Sequence, residues 1–436
     1  MRLSVRWILG LGLLVLLCGC SQRAPEPVTI TIQYPSVQAF YKRYGHAFES
    51  QYPHITVQVV QDSMKQPDTA PDADVLIMDS LSLYRKRIEQ GSLKDLAPFM
   101  KRDGFPPDTF SSVVTDLLRH ASPDGNLYGM APTFSSDALY YDKALFRAYG
   151  VPEPRNRMTW PEVLQLAMRF PGATHDGKPL YGLQMNFHKN VTLNILLEAG
   201  RSEGLSCIHP ETYRVTMNTD AWKAVWSDTI EAFRSGAIHV QGEEGGGPAH
   251  PPFYRGEAAM MVGSFIHAYN FELFSQFPDG REIDWGMVTA PVSRHHPDHS
   301  AFYSIYEIYG VSAHSNHPEE AWALVKFIAA DTENNRYLAK TEPNRGLPAL
   351  TDAIQPVPPH DLSPLYMLEA DTTSMNPYLL IDAEVLDAFQ DVAQQLLDQT
   401  IRGELTIEEA LVQVERQGQQ AVNEVLLKTG KFHDER

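Results

Sequence analysis

The sequence predicts an α/β protein of two lobes, each a mostly parallel sheet flanked by helices, and three observations carry that expectation. At 436 residues the chain exceeds the size at which one core stays efficient, so two units of roughly 150–250 residues are expected. Its first folded stretch alternates strand-like and helix-like runs, the order that favours parallel pairing. The run from Asp124 to Gly150, DGNLYGMAPTFSSDALYYDKALFRAYG, reads as a turn, a strand and a helix start, where the chain leaves one lobe for the other.

Taken in order, the first residues are an address and not part of the fold. Arg2 and Arg6 supply a basic region and Trp7 to Leu17 an apolar run that is short for a membrane span. Leu17-Cys18-Gly19-Cys20 closes that run and resembles a bacterial lipobox, so residues 1–19 are expected to be a signal peptide and Cys20 the acylated first residue of the mature chain. Diacylation there, palmitate included, would give the two-chain anchoring that a single acyl chain does not. Residues 20–27, with the polar, proline-rich SQRAPEP, read as a lipidated tether to the outer face of the cell membrane. After processing, Cys207 stands alone, which leaves no intramolecular disulfide and no cysteine-based metal site. Loss of Arg2 and Arg6 takes the formal charge from −18 to −20, a balance that opposes nucleic-acid binding through phosphate contacts.

Val28 to Tyr34 alternates apolar and polar side chains, while Ile55 to Val60 and Val75 to Met78 are β-rich or wholly apolar, so all three are expected strands. Between the first two, Val37 to Ser50 carries Val37, Tyr41, Tyr44 and Phe48 at helical spacing, a stripe read as core. Asp79 and Ser80 follow the third strand at the position where open α/β sheets place ligands; each is either a helix cap or a ligand hydrogen-bonder. A helix from about Leu81 to Gln90 then stops at Gly91. Lys143 to Tyr149 is expected to be helical up to Gly150, and Thr159 with Glu162 forms a capping box for the next helix.

Two clusters that suggest chemistry have plainer readings. Gly172 to Lys178 has phosphate-loop spacing but ends in Pro179 where a hydroxyl is needed, and it reads as a hairpin turn. His295, His296, Asp298 and His299 lie in a proline-containing linker without helical or strand registration, so a solvated loop is favoured over a metal site. The chain has neither a Gly-x-Ser-x-Gly elbow nor a His-Glu-x-x-His helix, and nothing positive points to an enzyme, a metal or a cofactor.

The order LYGMAP, ALYYDKALFRAYGVPEP and MTWPEVLQLA, followed by Phe253-Tyr-Arg-Gly-Glu-Ala-Ala-Met260 and Trp285-Gly-Met-Val-Thr-Ala-Pro291, resembles the family 1 extracellular solute-binding proteins of ABC importers, the maltose-binding-protein-like group. Tyr309-Gly-Val-Ser312, the Pro318 to Phe327 helix and a second capping box at Thr406 and Glu409 extend the resemblance over nearly all of the mature chain. It implies a periplasmic-binding-protein-like fold with three interlobe crossings, placed near Phe134 to Leu139, Met287 to Pro291 and Arg345 to Leu350. Residues 28–136 plus 290–346 would form lobe 1, and 137–289 plus 347–436 lobe 2. It further implies a monomeric, lipid-anchored receptor that takes a small solute, a sugar or oligosaccharide by preference, and delivers it to ABC permease subunits. The same fold binding a peptide, polyamine, phosphorylated sugar or metal chelate is the alternative, as are a surface glycosidase and a sensor subunit.

A sugar site combines aromatic platforms with carboxylates, amides and arginine. The expected platforms are Phe134, Phe265, Tyr269, Tyr303 and Tyr306, and the polar partners are Ser36, Asp79, Ser80, Asp137, Asn186, Glu307 and Arg345. Phe265 and Asp137 sit where the resemblance places ligand contacts. Many sugar binders of the family carry a Trp where this chain has Ser264-Phe265, and the Trp residues of the mature chain all fall on patterns that bury them.

Overall fold

The structure, a computed structural model, describes residues 26–61, 72–105, 110–170, 174–175, 178–185, 189–240, 251–277, 280–372, 378 and 381–430. The expected signal peptide and Cys20 lie outside them.

Strands β1 (Val28–Tyr34), β2 (Ile55–Gln61) and β3 (Val75–Met78) form a four-stranded sheet with the late strand β13 (Ile308–Val311). β1 pairs in parallel with both β2 and β3, while β13 joins β3 antiparallel. β4 (Thr133–Asp142) begins the larger sheet. After a small hairpin of β5 (Thr174–His175) and β6 (Lys178–Pro179), that sheet is filled by β7 (Tyr181–Met185), β8 (Ile238–His239), β9 (Ala258–Ser264) and β10 (Trp285–Thr289), in the order β10-β4-β9-β7-β8. Pairs β7–β8 and β7–β9 are parallel, whereas β9 and β10 meet β4 antiparallel. Outside the hairpin, the antiparallel pairs of the two sheets all involve β4 or β13, strands where the chain passes between lobes; the wound part of each sheet is parallel.

The helical stripe after β1 is core, with one shift. Val37–Phe40 and His46–Gln51 are α-helical, but Tyr41–Gly45 is a π turn. One extra residue in a turn rotates the following face by about 100°. The buried stripe is therefore Phe40, Tyr44 and Phe48, and Val37, expected inside, is 42% exposed. Gly45 is needed at the insertion, because a Cβ there would sit 2.6 Å from the Tyr41 ring. The Thr159–Glu162 and Thr406–Glu409 capping boxes both form, and Trp160, Trp222, Trp226, Trp285 and Trp322 are all buried.

The crossings are organised by β4. Its C-terminal half pairs with β9 and β10, and its N-terminal half with β12 (Tyr303–Ser304) and β14 (Leu347–Pro348). Just before β4, Met130 bridges Tyr309 of the small sheet. Met287 to Pro291, expected to be the second crossing, instead stays with the larger sheet: β10 runs to Thr289, and the Val292 amide donates to the Met158 carbonyl. Only after β11 (His299–Ser300) and β12 does the chain reach β13, so the passage lies at Tyr303 to Ile308. Beyond β14, residues 351–370 lie along β4 and β10 through β15 (Glu369–Ala370), which pairs with β11. The closing helices Ala383–Ile401 and Ile407–Thr429 then pack with Val191–Ser202 and Asp220–Arg234 in a core of their own on the larger lobe.

Candidate functional site

Between the sheets lies a cavity of about 310 Å³ to which both lobes contribute. From the small-sheet side come Ser80 and Leu81, at the helix start beyond β3, and Leu117 of the helix Ser112–Ala121. Ser135 and Asp137 of β4 face it, with Ser264 at the end of β9, Arg201 near the end of Val191–Ser202, and the segment 300–306. A second cavity, about 240 Å³, sits within the larger lobe between helices Trp160–Ala167 and Asp220–Arg234. It draws on one lobe only, so lobe closure would not bury its occupant.

β4 sorts its own residues by the two-residue period of a strand. Thr133, Ser135 and Asp137 are partly exposed, while Phe134, Ser136 and Ala138 between them are buried. Asp137 and Phe134 therefore cannot both face the cleft, and Phe134, 1% exposed and edge-on to Tyr303 at 6.0 Å, belongs to the core. Register pairs Asp137 with Ser264, placing both at the cavity wall.

Asp137 is the chemically unsettled group here. Among the described residues, no hydrogen-bond donor reaches its carboxylate. Desolvation first, and then repulsion from Glu198, raises it from 3.8 to about 7 against the opposing pull of Arg201. Arg201 is by contrast committed: its Nε and Nη2 reach Glu198 Oε2 at 3.1 and 2.5 Å, its Nη1 donates to the Ala301 carbonyl, and its Cζ lies 4.8 Å from the Phe302 ring centroid. Ser80 caps its helix by accepting from the Leu83 amide at 3.3 Å and donates to Asp79 Oδ1 at 3.1 Å. It is a helix cap, and it also lines the cavity. Tyr306 is 61% exposed at the same wall, the one expected platform with an open face.

The cavity thus brings together Ser80, Asp137, Tyr303 and Tyr306 of the expected residues. Tyr303 is nearly buried, its hydroxyl donating to the Leu368 carbonyl at 3.0 Å. Phe265 is buried beside the partly buried Tyr269, whose hydroxyl donates to the Gln355 carbonyl at 3.1 Å, and neither lines the cavity. Asp79 is exposed next to Ser80, Ser36 caps the Val37–Phe40 helix, and Asn186 lies outside the described residues. Glu307 and Arg345 find each other. Arg345 Nη2 pairs with Glu307 and donates to the Tyr44 hydroxyl at 2.9 Å, while the Tyr309 hydroxyl donates to Glu307 Oε2 at 3.1 Å. That network ties the π-turn helix to β13 and to the turn before β14, a joint between elements and not a ligand wall.

Sequence reasoning missed Arg201, Ser264 and Ser135. Ser135 was readable as the residue two before Asp137. Ser264 is the last residue of β9, next to the expected Phe265, which already begins the following helix. Arg201 carries no local signal, because its place depends on the packing of its helix against the segment 300–306. Among the described residues no group of three His, Cys, Asp or Glu is arranged to hold a metal ion.

Comparison with known proteins agrees with the two-lobed fold. The family model described as bacterial extracellular solute-binding protein matches residues 31–335. A lipoprotein encoded in the oleD 5′ region of Streptomyces antibioticus is 25% identical over 337 residues, 72% of this chain and 70% of the relative. Among solved structures, a sugar transporter from Rhizobium etli in an open conformation is 18% identical with a TM-score of 0.67, covering 90% of this chain and 99% of that one. An ABC substrate-binding protein from Listeria monocytogenes in complex with cycloalternan is 20% identical with a TM-score of 0.59, covering 91% and 100%.

Proposed function

We propose that this chain, which belongs to the bacterial extracellular solute-binding protein family of ABC importers, captures a carbohydrate between its two lobes and hands it to ABC permease subunits. Family membership makes it a binding protein and not an enzyme. The observation that carries the solute reading is Asp137: a carboxylate that no hydrogen-bond donor reaches among the described residues, on β4 beside the crossings, facing a cavity that both lobes wall. A partly desolvated acceptor of this kind is costly in the free protein and is satisfied by hydroxyl donors of a solute. Serines 80, 135 and 264 add small hydroxyl partners, and the open face of Tyr306 suits an apolar sugar face. The cavity volume falls at the low end of the roughly 300–1,000 Å³ of small-molecule sites. The sugar assignments of the Rhizobium and Listeria proteins point the same way.

In this reading the chain is a monomer held at the outer membrane face by acyl groups on Cys20, with the tether giving the lobes reach. We place the second domain boundary at 303–308 rather than at 290. Closure is a population shift, effective because the solute touches both lobes only when they are closed. A thermal-shift panel of mono- and oligosaccharides tests the assignment: saturation at 100 times the dissociation constant adds about 2.7 kcal/mol of stability. A panel in which peptides or polyamines stabilise the chain and sugars do not would contradict it.

A further inference from the structure

The charges on the cleft wall narrow the solute class, an inference that rests on the solute-receptor reading of the same cavity. Among the described residues that line it, Arg201 is the sole cation, and its guanidinium is taken up by Glu198, the Ala301 carbonyl and the Phe302 ring. Two carboxylates line the same space, Asp137 on β4 and Asp371 just after β15. With Glu198 taking up Arg201, Asp137 is left among the described lining residues as a carboxylate that no hydrogen-bond donor reaches.

That balance separates solute classes. A phosphorylated or carboxylated sugar would bring its charge against Asp137 with no uncommitted cation among the described lining residues to receive it, and burying an unpaired like charge is strongly unfavourable. A neutral sugar can donate hydroxyls to Asp137. An ammonium group donates as well and also cancels the charge, giving charge-assisted hydrogen bonds roughly twice as strong as neutral ones. It would further relieve the repulsion between Asp137 and Glu198.

We propose that the cleft selects a hydroxyl-rich solute carrying a protonated amine, an amino-substituted sugar in the simplest case, with the ammonium group seated on Asp137 and anionic sugars excluded. Ser135 and Ser264 flank the ammonium position with hydroxyl oxygens, and Arg201 acts as a fixed part of the wall rather than as an anion receptor.

The test is calorimetric titration of the purified chain at neutral pH with matched probes: glucosamine and glucose, the β-1,4-linked disaccharide of each, and glucose 6-phosphate. The aminated member of each pair should bind at least about tenfold tighter than its neutral counterpart, and glucose 6-phosphate should not bind. In the near-isosteric Asp137→Asn variant the amino preference should disappear, the aminated and neutral members of each pair binding within about threefold of each other. The variant's thermal melt, unchanged or raised, certifies its fold. Neutral sugars binding as tightly as aminated ones, or glucose 6-phosphate binding, would overturn the amine assignment and leave the carbohydrate reading standing. Silence across the whole panel would overturn both.

Discussion

Among single residues, Asp137 couples the site to the stability of the fold. Its carboxyl is raised from 3.8 to about 7, so between those values the folded state holds a proton that the unfolded state has released. Stability contributed by this site therefore falls as pH rises through that window and is flat above it, a cost of at most about 4 kcal/mol. The facing groups, Glu198 and Arg201 of one helix, act in opposite senses and are both included in that shift. Asp137→Asn should remove the loss, so the melting temperatures of variant and parent should agree near pH 4 and separate, variant higher, by pH 7. Identical curves across the range would show that the Asp137 carboxylate is not desolvated. Arg345 makes the contrasting case. Its side chain is 11% exposed and holds Glu307 together with the Tyr44 hydroxyl, so Arg345→Ala leaves Glu307 without its cation. A loss of about 2–4 kcal/mol in urea unfolding, with solute affinity per folded molecule retained, is expected of a structural joint. Loss of affinity without loss of stability would return Arg345 to the site.

At the scale of elements, β4 both aims the site residues and carries the passages between lobes. Gly346, with φ of +144°, lets the turn before β14 settle over it: a Cβ there would lie 2.7 Å from Thr133 Cβ and 3.0 Å from the Phe134 carbonyl oxygen. Gly346→Ala should cost about 1–3 kcal/mol through backbone strain, read as a lowered urea midpoint. A variant as stable as the parent would show that the β14 turn is not held against β4. Much of this architecture was legible beforehand. Period-two alternation located β1, capping residues located the helix starts at Thr159 and Thr406, and the apolar run Val75 to Met78 located the strand that delivers Ser80. What escaped was non-local. The π turn at Tyr41–Gly45 turned Val37 outward because of how its neighbours pack. The second passage moved from Met287–Pro291 to Tyr303–Ile308 because Val292 is held by Met158, which lies 134 positions earlier. Arg201 reached the cavity through tertiary packing that no local pattern encodes. Aromatic type alone misjudged Phe134, which its strand face buries, and Phe265, which is buried at the start of the helix after β9.

For the whole molecule, the arrangement is two sheets, with β4 of the larger one pairing β12 and β14 where the chain passes between the lobes, and the proposed solute position lies at that junction. Small-angle scattering should show a smaller radius of gyration once a bound sugar saturates the chain, and an unchanged profile would contradict closure. Closure in turn depends on a narrower proposition, that a carbohydrate is held against Asp137. Native mass spectrometry of the parent and Asp137→Ala, purified in parallel from the same host, reads that contact without a choice of probe. An adduct of carbohydrate mass is expected on the parent and should be absent or strongly depleted on the variant; the same adduct at equal occupancy on both proteins would contradict it.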